Sequence, residues 1–252
     1  MKLTFLGTGT STGVPVLACR CPVCTSADAH DRRTRPSVLI EDDGHAVVID
    51  TTPDFRFQAL REGLQRLDAV VFTHPHADHI LGLDDVRVFY FRQQQPIPIY
   101  ANTHCMENLK RTFQYIFDGN YPYGGLARLD PHVIEGPFRA GNLDFVPVPV
   151  FHGKLPILGF RVRDVAYLTD VSAIPEASFP MLENLEVLVL DALRHKPHPT
   201  HMSVEQALGT VERVKPRRAY FTHIAHELAH EATNAALPPH VRLAYDGLKL
   251  EM

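Results

Sequence analysis

Thr73-His74-Pro75-His76-Ala77-Asp78-His79 follows directly on Ala69-Val70-Val71-Phe72, a short and unbroken apolar run. Such a run reads as a strand buried on both faces. Four ligand-type side chains after a buried strand can fold around one point at its carboxyl end. Imidazole and carboxylate together suit Zn²⁺, Mn²⁺ or Fe, and a tight site needs further ligands from elsewhere in the chain. His152 follows Val146–Phe151, Asp170 follows Ala166–Thr169, and His223 follows Ala219–Thr222, so each stands where a strand would end. These seven groups are what two neighbouring cations with a shared carboxylate require. A solvated loop histidine explains any one of them, but not the set.

Upstream, Leu3 to Leu6 reads as a strand running into the turn Gly7-Thr8-Gly9-Thr10. The apolar runs Ser37–Glu41 and Ala46–Ile49 meet through Asp43-Gly44, a hairpin signal. Thr52-Pro53 opens a helix reaching about Glu62. Helices are expected over 79–91 and 103–117, with a strand Ile97–Tyr100 between them. Asp118–Gly125, rich in Gly and Tyr, reads as a mobile loop whose Tyr121 and Tyr123 either pack on the surface, the first expectation, or stack on a sugar or base over the site. The second half repeats the theme, with strands near 142–150, 157–162, 165–169, 186–190 and 217–222. Helices are expected near 203–214, where Ser203-Val204-Glu205-Gln206 has the form of a capping box, and near 226–236. Strands in both halves with intervening helices favour a layered α/β architecture, one domain over residues 1–252.

Composition narrows the function classes. The 252 residues are 45% apolar and 21% charged with a formal net charge of −4, which argues against a broad nucleic-acid footprint. No apolar run approaches the ~18 residues of a membrane span, and the first residues lack a secretory leader pattern, so a cytoplasmic location is expected. Among four Cys, Cys19, Cys21 and Cys24 form C-x-C-x₂-C, close enough for one ion. A structural zinc wants a fourth ligand, and His226, three residues beyond His223, is the best candidate. Cys105 reads as packing.

The H-x-H-x-D-H loop resembles the signature of the metallo-β-lactamase superfamily, and the likeness runs from Leu6-Gly7-Thr8-Gly9 to Tyr245-Asp246-Gly247. The resemblance implies an αββα four-layer sandwich with two divalent cations, Zn²⁺ or Mn²⁺, at one edge. One would take His74, His76 and His152, the other Asp78, His79 and His223, with Asp170 as bridge. Asp50, ending Val47-Val48-Ile49, matches a position that orients a ligating histidine. Within the superfamily, Val14-Pro15 with the cysteine loop and Pro199-Thr200-His201 resemble PhnP-like phosphodiesterases that open phosphoribosyl 1,2-cyclic phosphate. That likeness implies one structural Zn²⁺ on Cys19, Cys21, Cys24 and His226. It also implies that Asp78 and His201 carry catalysis, His201 touching the phosphate or protonating the departing oxygen, and that the chain forms a homodimer.

The physical case for hydrolysis stands apart from the family. Two cations acidify a shared water and clamp the scissile group's oxygens. Two Asp carboxylates leave such a centre net positive, which suits an anionic substrate such as a phosphate ester. The PhnP-like resemblance narrows this to a small cyclic phosphodiester such as phosphoribosyl 1,2-cyclic phosphate or a 2′,3′-cyclic nucleotide. The rivals are transfer-RNA 3′-end cleavage of the ribonuclease Z kind and a hydrolase of thioesters or lactones. His226-Glu227-Leu228-Ala229-His230 also spells the helical zinc-peptidase motif, but that reading leaves the upstream ligand set idle.

Overall fold

The computed structural model describes residues 1–119, 122 and 124–252; Asn120, Tyr121 and Tyr123 lie outside the described residues, and with them either placement of the two tyrosines. Two seven-stranded sheets make up the centre. The first contains β1 (Lys2–Gly7), β2 (Ser37–Asp42), β3 (His45–Ile49), β4 (Ala69–Val71), β5 (Ile97–Ala101) and β6 (Leu129–Val133). The second contains β7 (Phe138–Ala140), β8 (Leu143–His152), β9 (Leu155–Val162), β10 (Val165–Leu168), β11 (Val187–Asp191), β12 (Arg218–Thr222) and β13 (Val241–Leu243). The last strand, β14 (Lys249–Glu251), returns to the first sheet beside β1. Each sheet begins antiparallel and turns parallel, β3 to β6 in one and β10 to β13 in the other.

Three apolar layers follow from the alternation of side chains along these strands. Leu3, Phe5, Val47, Ile49, Phe145, Phe160 and Val189 fill the space between the sheets. The opposite face of the first sheet, with Leu39, Val48 and Val70, packs on α1 (Phe55–Glu62), α2 (Ala77–Ile80), α3 (Arg87–Gln93) and α4 (Thr103–Thr112), with the short α5 (Gln114–Phe117) behind. The outer face of the second sheet carries Val148, Leu168, Leu188 and Phe221 against α6 (Val204–Val214) and the chain around α7 (His230–Ala236). The result is an αββα sandwich. Among the described residues no helix is long and apolar enough to cross a membrane.

Several expected elements are shorter than their patterns suggest. The single helix over 79–91 is instead α2, a 3₁₀ turn Leu83–Val86 and α3. Gly82 is the break: its N–H donates to the Thr51 carbonyl at 2.9 Å, and a Cβ there would sit 2.0 Å from the Thr52 carbonyl oxygen. The helix over 103–117 divides at Phe113, whose φ of −110° and ψ of 41° leave the helical region. The first helix starts at Phe55 rather than Pro53, because the Thr52 hydroxyl accepts from the Asp54 N–H and holds a turn there. Residues 226–229 are not helical, so α7 begins at His230. The unforeseen strands β6, β7, β13 and β14 are short and partly exposed, and leave little periodicity to read. The Ser203–Gln206 capping box is present on both of its hydrogen bonds.

Candidate metal centre

The parallel strands of both sheets aim their carboxyl ends at one edge, the usual place for a site in such sheets. Asp50 follows β3, Thr73 to His79 follow β4, Asp170 follows β10, Asp191 ends β11 and His223 follows β12. Asp50, Asp170 and His223 have φ of 64°, 60° and 58°. Left-handed backbone at a non-glycine residue costs on the order of 1 kcal/mol or more, and such strain collects at functional sites. Here it turns three side chains inward from the strand ends.

The chain brings the seven expected ligands together in two adjoining groups, His74 with His76 and His152, and Asp78 with His79, Asp170 and His223. All but His76 are buried. His79 Nε2 lies 3.1 Å from Asp170 Oδ2 and 3.4 Å from Asp78 Oδ2, and His223 Nε2 lies 3.2 Å from Asp170 Oδ1. His74 Nε2 and His76 Nδ1 are 3.0 Å apart.

Hydrogen bonds behind the rings decide which nitrogens face inward. His79 Nδ1 is 2.7 Å from Asp50 Oδ2, so Asp50 takes that proton and leaves the Nε2 lone pair toward the cluster. The Thr73 hydroxyl donates to Asp50 at 2.7 Å and accepts from His74 Nδ1 at 3.0 Å, which turns the His74 Nε2 lone pair inward as well. His152 Nδ1 donates to the Thr200 carbonyl at 2.8 Å. Asp50 thus orients one histidine directly and a second through Thr73.

These arrangements fit divalent cations. With its proton on Nδ1, the buried His79 would aim the Nε2 lone pair at two carboxylates, which is repulsive unless a proton or a metal ion lies between them. Burial opposes a charged His79, yet Asp170, Asp78 and Asp50 outweigh it and raise its pKa well above the usual range. Burial likewise opposes a charged His223, but chiefly Asp170 pushes it up to about 10. The same negative field attracts metal ions. His74 goes the other way, held well below the usual range by burial and by His79. Asp78, although burial works against its charge, is held far below the carboxylate range by His79 and His223.

His201 packs at the rim, its ring 4.5 Å from that of His223 and 4.7 Å from that of His152. Its Nδ1 is 2.8 Å from Asp191 Oδ2. Asp191 is fully buried, and burial raises its carboxyl pKa against the pull of His201. Motif reading assigns Asp191 no role, although it ends Val187-Leu188-Val189-Leu190 in the way Asp50 ends its own strand. Thr73 likewise carries no signal beyond its place as first residue of the ligand loop.

The cysteine loop forms a second, separate cluster. Cys19, Cys21 and Cys24 Sγ lie 3.3, 3.4 and 3.4 Å from His226 Nδ1. One ring nitrogen cannot donate to three sulfurs, whereas a tetrahedral zinc would hold sulfur and nitrogen about 3.6 Å apart. The Cys24 N–H bond draws the Cys21 thiol down to about 6, while burial pushes Cys24 up to about 11, so negative charge settles first on Cys21. With His226 turned to the sulfurs and outside any helix, the zinc-peptidase motif does not form. Cys105 is buried, among apolar neighbours.

His30, His230 and Glu231 also approach one another. The Leu243 N–H donates to Asn234 Oδ1 at 2.8 Å, so Asn234 Nδ2 faces His230 Nε2, 3.0 Å away, as a donor. His230 therefore carries its proton on Nδ1 and offers no lone pair to a metal.

Residues 45–224 match the Beta-lactamase superfamily domain. A solved structure described as a new diphosphatase from the PhnP family is 50% identical, with a TM-score of 0.94 over 100% of this chain and 97% of that one. The human short-form tRNase Z shares the fold at 19% identity and a TM-score of 0.72, over 100% of this chain and 99% of that one. A Porphyromonas gingivalis (strain ATCC BAA-308 / W83) protein named octanoyltransferase is 39% identical over 99% of this chain and 51% of its own length. The chain spans about half the length of the curated relatives it matches. Family match, full-length similarity and the αββα architecture agree, and the chain belongs to the metallo-β-lactamase superfamily, on the branch of the PhnP family.

Proposed function

We propose that the chain is a dinuclear phosphodiesterase of small substrates, a cyclic phosphodiester first among them, built as one domain over residues 1–252. The observation that carries this reading is the convergence of seven ligand side chains on one edge with the Asp191–His201 pair at the rim. His74, His76 and His152 would hold one divalent cation, Zn²⁺ or Mn²⁺; Asp78, His79 and His223 would hold the other, with Asp170 between. When bound, two such cations acidify water and offset charge on the phosphoryl oxygens. Two Asp carboxylates against a formal charge of about +4 leave a positive centre, which suits an anionic ester.

The chain's own residues supply the rest. Asp78, held far below the carboxylate range, stays anionic and serves as fixed charge rather than as an acid. Asp191 fixes the proton of His201 on Nδ1, which leaves Nε2 to exchange a proton with the departing oxygen. Thr200, between the two histidines, ties them together: its carbonyl holds His152, and His201 follows it in the chain. Cys19, Cys21, Cys24 and His226 would hold a structural Zn²⁺ that pins the cysteine loop beside the ligand His223.

A thioester substrate is the second reading, favoured by the octanoyltransferase relative that matches the whole chain over half its own length. Transfer-RNA cleavage rests on fold similarity alone. The test is turnover by protein reconstituted with Mn²⁺ and with Zn²⁺, Asp78→Ala serving as blank. Substrates are phosphoribosyl cyclic phosphate, 2′,3′-cyclic nucleotides, a linear diphosphate diester, an octanoyl thioester and precursor transfer RNA. Turnover of cyclic esters, absent in the blank, supports the proposal. Two bound metals with no phosphoester turnover would sink it.

A further inference from the structure

We infer that Thr169 is a positioning residue for the shared carboxylate: its hydroxyl engages one oxygen of Asp170 and leaves the other to face both ligand groups. This role rests on the dinuclear reading and deepens it. Thr169 Oγ1 donates to Asp170 Oδ2 at 2.8 Å, and both side chains are buried. Among the described residues, Thr169 is the one group outside the ligand set that hydrogen-bonds this carboxylate.

The two oxygens of Asp170 have unequal surroundings. Oδ1 lies 3.2 Å from His223 Nε2 and 3.9 Å from His74 Nε2, so it faces a member of each expected ligand group. Oδ2 lies 3.1 Å from His79 Nε2 and takes the Thr169 hydrogen bond. An aspartate χ2 torsion is broad and roughly two-fold, so the carboxylate plane needs an outside partner to fix it. Left free, a carboxylate can turn both oxygens to one cation, since monodentate and bidentate binding are both open to it. The Thr169 hydrogen bond to Oδ2 opposes that turn and keeps Oδ1 as the shared oxygen.

Strand β10 and the side chain itself fix where that hydroxyl points. Val165 and Tyr167 face the space between the sheets, while Ala166 and Leu168 face outward. Alternation therefore puts Thr169 in the inner row, at the end of the strand that meets the ligands. A β-branched side chain is stiff at χ1, so a buried threonine holds its hydroxyl with little freedom to lose. Thr73 does the equivalent on the first sheet, where its hydroxyl donates to Asp50. Removing a partner of this kind typically weakens metal binding about 10- to 100-fold.

The experiment loads the full chain with Mn²⁺ and follows it by equilibrium dialysis and EPR, for wild type, Thr169→Val, Thr169→Ser and Tyr167→Phe. Valine keeps the shape of threonine without its hydroxyl. Thr169→Val should bind the second equivalent of Mn²⁺ about 10- to 100-fold more weakly, and the exchange-coupled signal of a bridged pair should give way to the signal of separate ions. Thr169→Ser keeps the hydroxyl and should stay within about threefold of wild type, well inside that range. Tyr167 Oη is buried on the same inner face without a hydrogen-bond partner, so Tyr167→Phe should leave both readouts unchanged. Thr169→Ala gives the same comparison should the valine variant not fold. Wild-type affinity and coupling in Thr169→Val would overturn the inference and leave the dinuclear reading intact. A loss in Thr169→Ser or Tyr167→Phe as large as that in Thr169→Val would overturn it too, because packing rather than the hydroxyl would then be at work. Wild type that takes up a single Mn²⁺ with no coupled signal would reject the dinuclear reading and this role together.

Discussion

Asp191 Oδ2 stands 2.8 Å from His201 Nδ1, and both side chains are buried at the rim of the ligand cluster. The pair joins the end of β11 to the Pro199-Thr200-His201 segment, whose Thr200 carbonyl also holds His152. His201, the proposed proton-transfer group, and His152, a proposed metal ligand, are therefore positioned by one stretch of chain.

His201→Ala should lower kcat on an alkyl phosphodiester by about 10²- to 10⁴-fold. The loss should be much smaller with a p-nitrophenyl leaving group, which departs without a proton. Asp191→Asn should reproduce part of the same pattern, and the double variant should be no worse than His201→Ala alone. Equal losses on both leaving groups would remove the general-acid role.

Asp50→Asn should weaken active-site metal binding by about 10- to 100-fold, because it accepts from His79 and, through Thr73, orders His74. Chelator competition followed by metal analysis measures this. Unchanged metal retention would mean that the ligands hold their orientation without the carboxylate.

Cys21→Ser should lower the melting temperature by roughly 5–10 °C and remove one equivalent of zinc. Metal at the histidine cluster should remain. Unchanged zinc content and thermal stability would refute a structural zinc at the cysteine loop.

Gly82→Ala should cost about 2–3 kcal/mol in urea unfolding, since the new methyl would collide with the Thr52 carbonyl and the Phe55 side chain. A change below about 0.5 kcal/mol would mean that the α1–α2 junction relaxes freely.

Much of the fold was legible because it rests on short-range pattern. The buried run before Thr73, the Asp43-Gly44 hairpin and the Ser203 capping box are local statements about periodicity and backbone freedom, and each appears in the structure. Ligand candidates were legible for the same reason, since His152, Asp170 and His223 each stand at the end of a readable strand. Helix limits around Gly82 and Phe113 were not, because a backbone contact from a distant turn sets the first and tertiary context overrides propensity at the second.

The amino-acid sequence by itself determined the layered architecture, the ligand-rich loop after β4 and the three clustered cysteines, all properties of neighbours along the chain. Only the tertiary structure decided that Asp191 meets His201 and that Asp50 governs two histidines. Those pairs lie in separate elements, and their partnership depends on which strand ends reach the same edge of the sandwich. Periodicity carries no record of that; the packing of one sheet on the other does.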